Sequence, residues 1–317
     1  MKICLISFDF FDFDNHIVDE LKRRNIDANH IDISKFSYKY SSFFEKTTNF
    51  FLKLFFNKNI KKIKTEQYIF DRLNDLGHQD CILVIRPDRI SLESHLKIKQ
   101  YADKYICYLY DSLQRIPINH LLKGVFDKIF SFDLIDCEKH NLAFITNYIY
   151  LEKRELDNKI EIINTAFIIM SIDERFAILN KLANYLTANS INFKIIMVGK
   201  KIPKNSNPNI VFSKKTLCLK EIQTELEKSK IFLDFIRINQ NGLSFRVFEA
   251  LAMQRKIITT NKSIKKYDFY NPNNILVLDE NNINIDSDFL NKPYIPLEES
   301  IYSKYTINNW VQVVFEL

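Results

Sequence analysis

The sequence predicts an α/β protein made of two parallel-sheet units. Three observations carry this. Short apolar runs of the buried-strand type alternate with amphipathic stretches along the chain. The alternation stops at a charged segment, Glu152 to Lys159, and then restarts. The length of 317 residues also exceeds the size at which a single core stops growing. With 46% hydrophobic and 14% aromatic residues there is enough apolar volume for two cores, and 26% charged residues keep the surface solvated.

In order, the first unit is expected to place strands at Lys2 to Phe8, Ala28 to Ile33, Cys81 to Ile85, Tyr105 to Tyr110, Lys128 to Phe132 and Ala143 to Thr146, with helices between most of them. The second repeats the scheme at Ile160 to Met170, Phe193 to Val198, Ile210 to Phe212, Ile231 to Phe235, Lys256 to Thr259 and Ile275 to Leu278. Boundaries follow at 1–155 and 156–297. The remainder, 298–317, reads as one helix with Ile301, Tyr305, Trp310, Val314 and Leu317 on its apolar face. No repeat or low-complexity tract interrupts the pattern.

A net charge of +6 is mild for this length and is not gathered into an arginine-rich arm, which argues against nucleic acid as a partner. Cys4, Cys81, Cys107, Cys137 and Cys218 are scattered, odd in number and mostly inside apolar runs, so reduced thiols are expected and no CxxC metal pair exists. The opening MKICLISF has no basic n-region and no apolar run approaches about 18 residues, so the expected location is the cytoplasm.

The most informative stretch runs from Gln240 to Asn261, QNGLSFRVFEALAMQRKIITTN. The chain has only four glycines where average usage of about 7% would give roughly twenty, and Gly242 is the one beside polar groups. A strand, Ile231 to Phe235, feeds a polar loop, and from Ser244 the residues Phe245, Phe248, Leu251 and Ala252 recur at helical spacing, with Ser244 as the expected N-cap. A helix start carries partial positive charge, Gly242 lets a ligand approach the backbone, and the Arg246 guanidinium has the geometry for phosphate. Together they outline an anion site. Glu249, just over one turn deeper, is placed to accept from ribose hydroxyls, and Asn261 stands at the carboxyl end of the next strand, where ligands of open α/β sheets bind. The opposing reading is an Arg246–Glu249 i,i+3 pair on an ordinary surface helix.

This loop, helix and strand resemble the donor-binding unit of GT-B glycosyltransferases, above all those building bacterial lipopolysaccharide and capsule and the CgeB-like group, where G-L-S-x-R-x-F-E-A-L-A is typical. Phe130 to Asp136 (FSFDLID) also resembles a CgeB-like segment. The resemblance implies a GT-B fold of two Rossmann-like domains facing a central cleft, with the C-terminal helix crossing back to the first domain. It implies a nucleotide sugar held by the C-terminal half and a glycan or glycolipid acceptor presented by the N-terminal half. Donor contacts are then expected from Gln240, Asn241, Gly242, Leu243, Ser244, Arg246 and Glu249. Glu249 matches the second of two family glutamates eight positions apart. Asn241 stands in place of the first, which leaves the sugar contact and the stereochemical course open.

The leaving group is a nucleoside diphosphate, and the Gly242 to Arg246 unit offers fixed donors without a carboxylate pair beside it, so transfer is expected to need no metal and no cofactor. Gly199, Lys200 and Lys201 follow the strand FKIIMV and are placed to meet the diphosphate from the other wall, unless the lysines are simply solvated. An inverting reaction also needs a base. The loop after the first strand, SFDFFDFDN, supplies Asp9, Asp12, Asp14 and His16 as candidates, Asp9 and Asp12 first, the opposing reading being that Asp14 or Asn15 caps the following helix. Arg86, Asp111 and Asp133 follow other predicted strands as further candidates or as turn residues.

The stretch Phe36 to Lys64 mixes phenylalanines and tyrosines with lysines. It is either core with lysines facing water, or a surface that touches the cytoplasmic face of the inner membrane. Two rival functions stand beside transfer. One is a catalytically silent nucleotide-sugar-binding subunit, suggested by Asn241. The other is a Mg²⁺-dependent phosphatase or phosphotransferase, because Asp12-Phe13-Asp14 resembles the DxD of haloacid-dehalogenase enzymes, although Asn15 and His16 follow it and no GD-rich acidic loop appears downstream.

Overall fold

A computed structural model describes residues 1–9, 11–56, 59–154 and 161–317. Most of the expected linker, together with Ile160, lies outside these residues. The chain divides into two compact units, 1–145 with 311–317, and 146–310.

The first unit runs β1 (Lys2–Ser7), α1 (Asn15–Arg23), β2 (Asp27–Asp32), α2 (Phe43–Phe56), α3 (Ile60–Leu76), β3 (Gln79–Ile85), α4 (Leu92–Ile98), β4 (Ala102–Leu109), β5 (Lys128–Ser131), α5 (Leu134–His140) and β6 (Ala143–Phe144). Its sheet has the order β2-β1-β3-β4-β5-β6, with every pair parallel. Ile3 to Ile6 of β1 and Ile82 to Ile85 of β3 are almost fully buried, because helices cover both faces of the sheet. Cys4, Cys81 and Cys107 lie in this core as free thiols, and burial pushes Cys4 and Cys81 up to about 12.

The second unit runs β7 (Asn164–Ser171), α6 (Phe176–Ala188), β8 (Phe193–Val198), β9 (Ile210–Ser213), α7 (Leu219–Glu227), β10 (Ser229–Asp234), α8 (Phe245–Ala252), β11 (Lys256–Thr259), β12 (Ile275–Val277), α9 (Ser287–Asn291), α10 (Glu299–Tyr302) and α11 (Ile307–Phe315). The sheet order is β12-β11-β10-β7-β8-β9, again parallel throughout. Counted from its own first strand this is the 3-2-1-4-5-6 order of dinucleotide-binding sheets, which reverses winding between β7 and β10.

All twelve expected strands form, with ends shifted by a few residues. The single C-terminal helix does not. Thr306 is extended and bridges to Ile149, whose N–H donates to Tyr305 O (2.7 Å) and whose carbonyl accepts from Ile307 N (2.9 Å), so α10 and α11 are separate. The apolar face of α11 is Ile307, Trp310, Val311, Val314 and Phe315, with Trp310 Nε1 donating to Thr146 O (3.0 Å). Leu317 lies outside that buried set. The last seven residues belong to the first unit, where Glu316 pairs with Lys104 (2.7 Å) and Lys128 (3.0 Å).

Candidate functional site

At the winding reversal of the second unit, where open α/β sheets form their ligand crevice at the carboxyl edge, the loops leaving β7 and β10 meet. Asp234 closes β10 and is buried there. Its Oδ1 accepts from Ser244 Oγ and its Oδ2 from Thr259 Oγ1, both at 2.7 Å, so one carboxylate ties the start of α8 to the end of β11. Ser244 does occupy the N-cap place, but its hydroxyl serves Asp234 rather than a helix amide.

The loop between β10 and α8 is held from its other side by Asn261. The Asn261 amide donates to the carbonyls of Asn241 and Gly242 (3.2 Å each), and Ser263 Oγ donates to Asn241 O (2.7 Å). Asn261 is 1% exposed and its Oδ1 accepts from Ser263, so it shapes the loop instead of reaching for a ligand. Leu243 is likewise inside: its side chain joins the core and its carbonyl accepts from Asn147 Nδ2 (2.8 Å). Gln240 sits at a turn closed by its N–H to Arg237 O.

The Arg246–Glu249 pair forms, with Glu249 buried and Arg246 partly so. Arg246 Nη1 lies 2.7 Å from Glu249 Oε2, and its guanidinium rests about 6 Å from the ring centres of Phe167 and Phe232, both fully buried. Tyr150 OH donates to Glu249 Oε1 at 2.5 Å. Burial raises the Glu249 carboxyl, Arg246 and Tyr150 oppose that shift, and Asp234 adds to it, leaving it above the ordinary carboxylate range. Arg246 thus commits one guanidinium nitrogen to Glu249.

Cations do converge on the crevice from residues that sequence reasoning passed over. Asp173, after β7, accepts from Arg175 Nε (2.9 Å) and Nη2 (2.6 Å), Arg175 Nη1 donates to Phe235 O (2.7 Å), and Arg237 Nη2 reaches the same carboxylate at 3.4 Å. Burial alone would raise Asp173, but the two arginines hold it below the usual range. Two guanidinium groups share the Asp173 carboxylate beside the start of α6, with Glu174 exposed next to them. The only sequence signal was arginine within a few residues after a strand, a pattern too common to select. Gly199 follows β8 at a position where a Cβ would meet Ile172 Cδ1 at 2.8 Å, and Lys200 beside it is exposed.

In the first unit, the loop after β1 carries a carboxylate cluster. Asp9 is buried; its Oδ2 accepts from Asn15 N (3.0 Å), so Asp9, not Asp14, binds the first amide of α1. Burial pushes Asp9 up to about 6, against backbone amides that favour its charge and with Asp32 adding repulsion. Asp14 is 3% exposed and is held well above the usual carboxylate range, by burial first and by Asp9 second. Asp12 is different. It is left-handed (φ 58°), exposed, and shares Lys35 with Asp32. His16 is partly buried, which lowers its pKa. The site residues of the loop therefore split, with Asp9 inside and Asp12 outside.

Arg86, also left-handed (φ 65°), follows β3 and grips Asp88 with both arms (2.8 and 2.9 Å). It lines a pocket with Tyr110, Asp111, Ile116 and Ile118. Asp133 is the N-cap of α5, accepting from Ile135 N (2.9 Å), which settles it as a turn residue. Among the described residues, no group of three or more His, Cys, Asp or Glu is placed to hold a metal ion.

No protein-family model matches the chain, and no curated protein is similar to it in sequence. Solved structures are similar in fold over its whole length. The lipopolysaccharide outer core galactosyltransferase WaaB aligns at 10% identity over 100% of this chain and 99% of its own, with a TM-score of 0.53. The UDP-GlcNAc 2-epimerase from Neisseria meningitidis aligns at 11% identity over 100% and 99%, with a TM-score of 0.52. The trehalose-6-phosphate phosphatase N-terminal domain of Candida albicans aligns at 10% identity over 99% and 95%, with a TM-score of 0.51. The chain has the GT-B fold of two Rossmann-like domains.

Proposed function

We propose that the protein is a glycosyltransferase, close to the CgeB-like enzymes, that moves a sugar from a nucleotide-sugar donor to a lipopolysaccharide, capsule or other surface-glycan acceptor at the cytoplasmic face of the inner membrane. The observation that carries this reading is the crevice of the second unit. A buried Glu249 held by Tyr150 and Arg246 lies at the strand–loop–helix where the fold binds nucleotides, with Arg175 and Arg237 at its mouth. In this reading the arginines and the helix starts meet the diphosphate, so departure of the leaving group uses fixed cations and needs no metal. Glu249 faces the ribose once Tyr150 or Arg246 yields one of its oxygens.

In the first unit, Asp9 is the favoured base for an inverting course, since a carboxyl raised to about 6 is matched to proton abstraction near neutral pH. The phosphatase reading loses ground because Asp12 and Asp14 do not converge: one is exposed on Lys35 and the other is buried. A silent nucleotide-sugar-binding subunit stays as the second reading, favoured by Asn241, whose carbonyl is committed to Asn261 and Ser263.

A thermal-shift screen against UDP-, GDP-, CMP- and dTDP-sugars tests the donor site, led by UDP-sugars because similar folds were captured bound to UDP-GlcNAc. A selective shift, reduced in Arg237→Ala and Glu249→Gln and unchanged by EDTA, is expected. A shift that both variants keep moves the nucleotide elsewhere, and binding without turnover across a wide acceptor panel favours the silent subunit.

A further inference from the structure

Helix α2 is built inside out. Its most buried position is polar: Asn49 is 4% exposed, donates Nδ2 to Tyr40 OH (2.8 Å) and accepts from Ile60 N (2.7 Å), while on the same side Glu45, partly buried like Leu52, accepts from Ser41 N (2.7 Å) and from Tyr38. Its outward positions are aromatic. Phe43, Phe44, Phe50, Phe51, Leu54 and Phe55 are 51 to 83% exposed, and Phe51 stacks on Phe55 instead of on the core. At helical spacing these six form one stripe opposite Asn49, and the exposed Lys46 and Lys53, seven apart, line one border of it. Isolated apolar residues at a surface need no explanation, but a contiguous stripe on a helix whose polar side faces the protein marks an interaction face.

Charge identifies the occupant. Between residues 33 and 65 the sequence has eight lysines against one glutamate, a surplus of seven where the whole chain has a surplus of six. The chain's positive charge is therefore local, although it lies in lysines and not in an arginine-rich arm. Lys61 and Lys64 on the first turns of α3 are exposed as well, over the rings of Tyr40 and Tyr38. An aromatic stripe bordered by lysine is the pattern of a helix lying in the headgroup plane of an anionic bilayer, where apolar insertion and attraction to lipid phosphate add.

We propose that α2 is a membrane-docking helix that seats this protein on an anionic phospholipid surface through Phe43, Phe44, Phe51 and Phe55, with Lys46 and Lys53 on the headgroups. This deepens the surface-glycan reading by naming where a lipid-borne acceptor would be met, and its test is separate. The full chain is sedimented with vesicles of phosphatidylcholine alone and with phosphatidylglycerol added, at low and high salt, beside Phe44→Ser/Phe51→Ser/Phe55→Ser and Lys46→Glu/Lys53→Glu. Binding to anionic vesicles is expected to fall at least tenfold in either variant and in high salt, with melting temperature and donor binding unchanged because these side chains are outside the core. Equal sedimentation of variant and parent overturns the proposal. So does a parent that ignores vesicles but forms a dimer that the serine variant abolishes, which assigns the stripe to a second copy of the chain. A failed donor screen with intact vesicle binding removes only the transferase reading.

Discussion

Helices α8 and α2 are written in similar residues and used in opposite ways. FRVFEALA buries Val247, Phe248 and Ala250 to Ala252 against the second sheet and encloses the charge of Glu249. FFEKTTNFFLKLFF turns Asn49 inward and leaves six large apolar side chains in solvent. Aromatic content does not separate the two; the phase of the charged and amide residues relative to the apolar ones does. Where a polar group has fixed partners waiting, it takes the inner face and the apolar stripe must find its cover elsewhere.

The sharpest way to break this contrast is truncation on each helix. Phe248→Ala should cost about 3–5 kcal/mol in chemical denaturation, whereas Phe44→Ala should stay within about 0.5 kcal/mol; a large loss at Phe44 would mean that the stripe is packed after all. Glu249→Ala should come close behind, at about 3–5 kcal/mol, since it strands the partly buried Arg246 guanidinium, and Glu249→Gln should recover part of that in the same assay. Next are the two asparagines that hold these regions in place. Asn49→Ala and Asn261→Ala each remove hydrogen bonds to buried backbone or hydroxyl groups and should cost about 1–3 kcal/mol, but only Asn261→Ala should weaken nucleotide-sugar binding by isothermal titration.

The smallest effect is a pH dependence in the first unit. Asp14 has a folded pKa above its unfolded value, so the stability linked to its proton is fully present below the unfolded pKa and is lost as pH rises through the folded one. Asp9 behaves alike, with its loss complete once pH has risen past about 6. Asp14→Asn should therefore gain in melting temperature relative to the parent between pH 5 and 8, with the gain widening as pH rises. A difference that stays flat with pH would show Asp14 ionised in the fold.

Much of the architecture was legible because buried parallel strands announce themselves as continuous apolar runs, and all twelve did. Glu249 and its loop were legible for a related reason: a rare glycine beside a polar turn and a charged helix start stands out from its surroundings. Asp234, Arg175 and Arg237 were not, because each is an ordinary residue at a strand end and gains meaning only when β7 and β10, some 60 residues apart, become neighbours. The break before α11 was hidden likewise, since its cause is Ile149, far away in the chain.

By itself, then, the sequence determined which segments are strands, that there are two sheets, and which helix follows the strand at Ile231 to Phe235, because apolar periodicity and glycine scarcity act within a few residues. Only the tertiary structure decided that Ser244 serves Asp234 instead of its own helix, that the Arg246–Glu249 pair has a buried carboxylate, that Asp9 rather than Asp14 meets α1, and that α2 faces its phenylalanines outward. Each of those outcomes is a competition among partners for one hydrogen bond or one apolar surface, and the competitors are brought together only by folding.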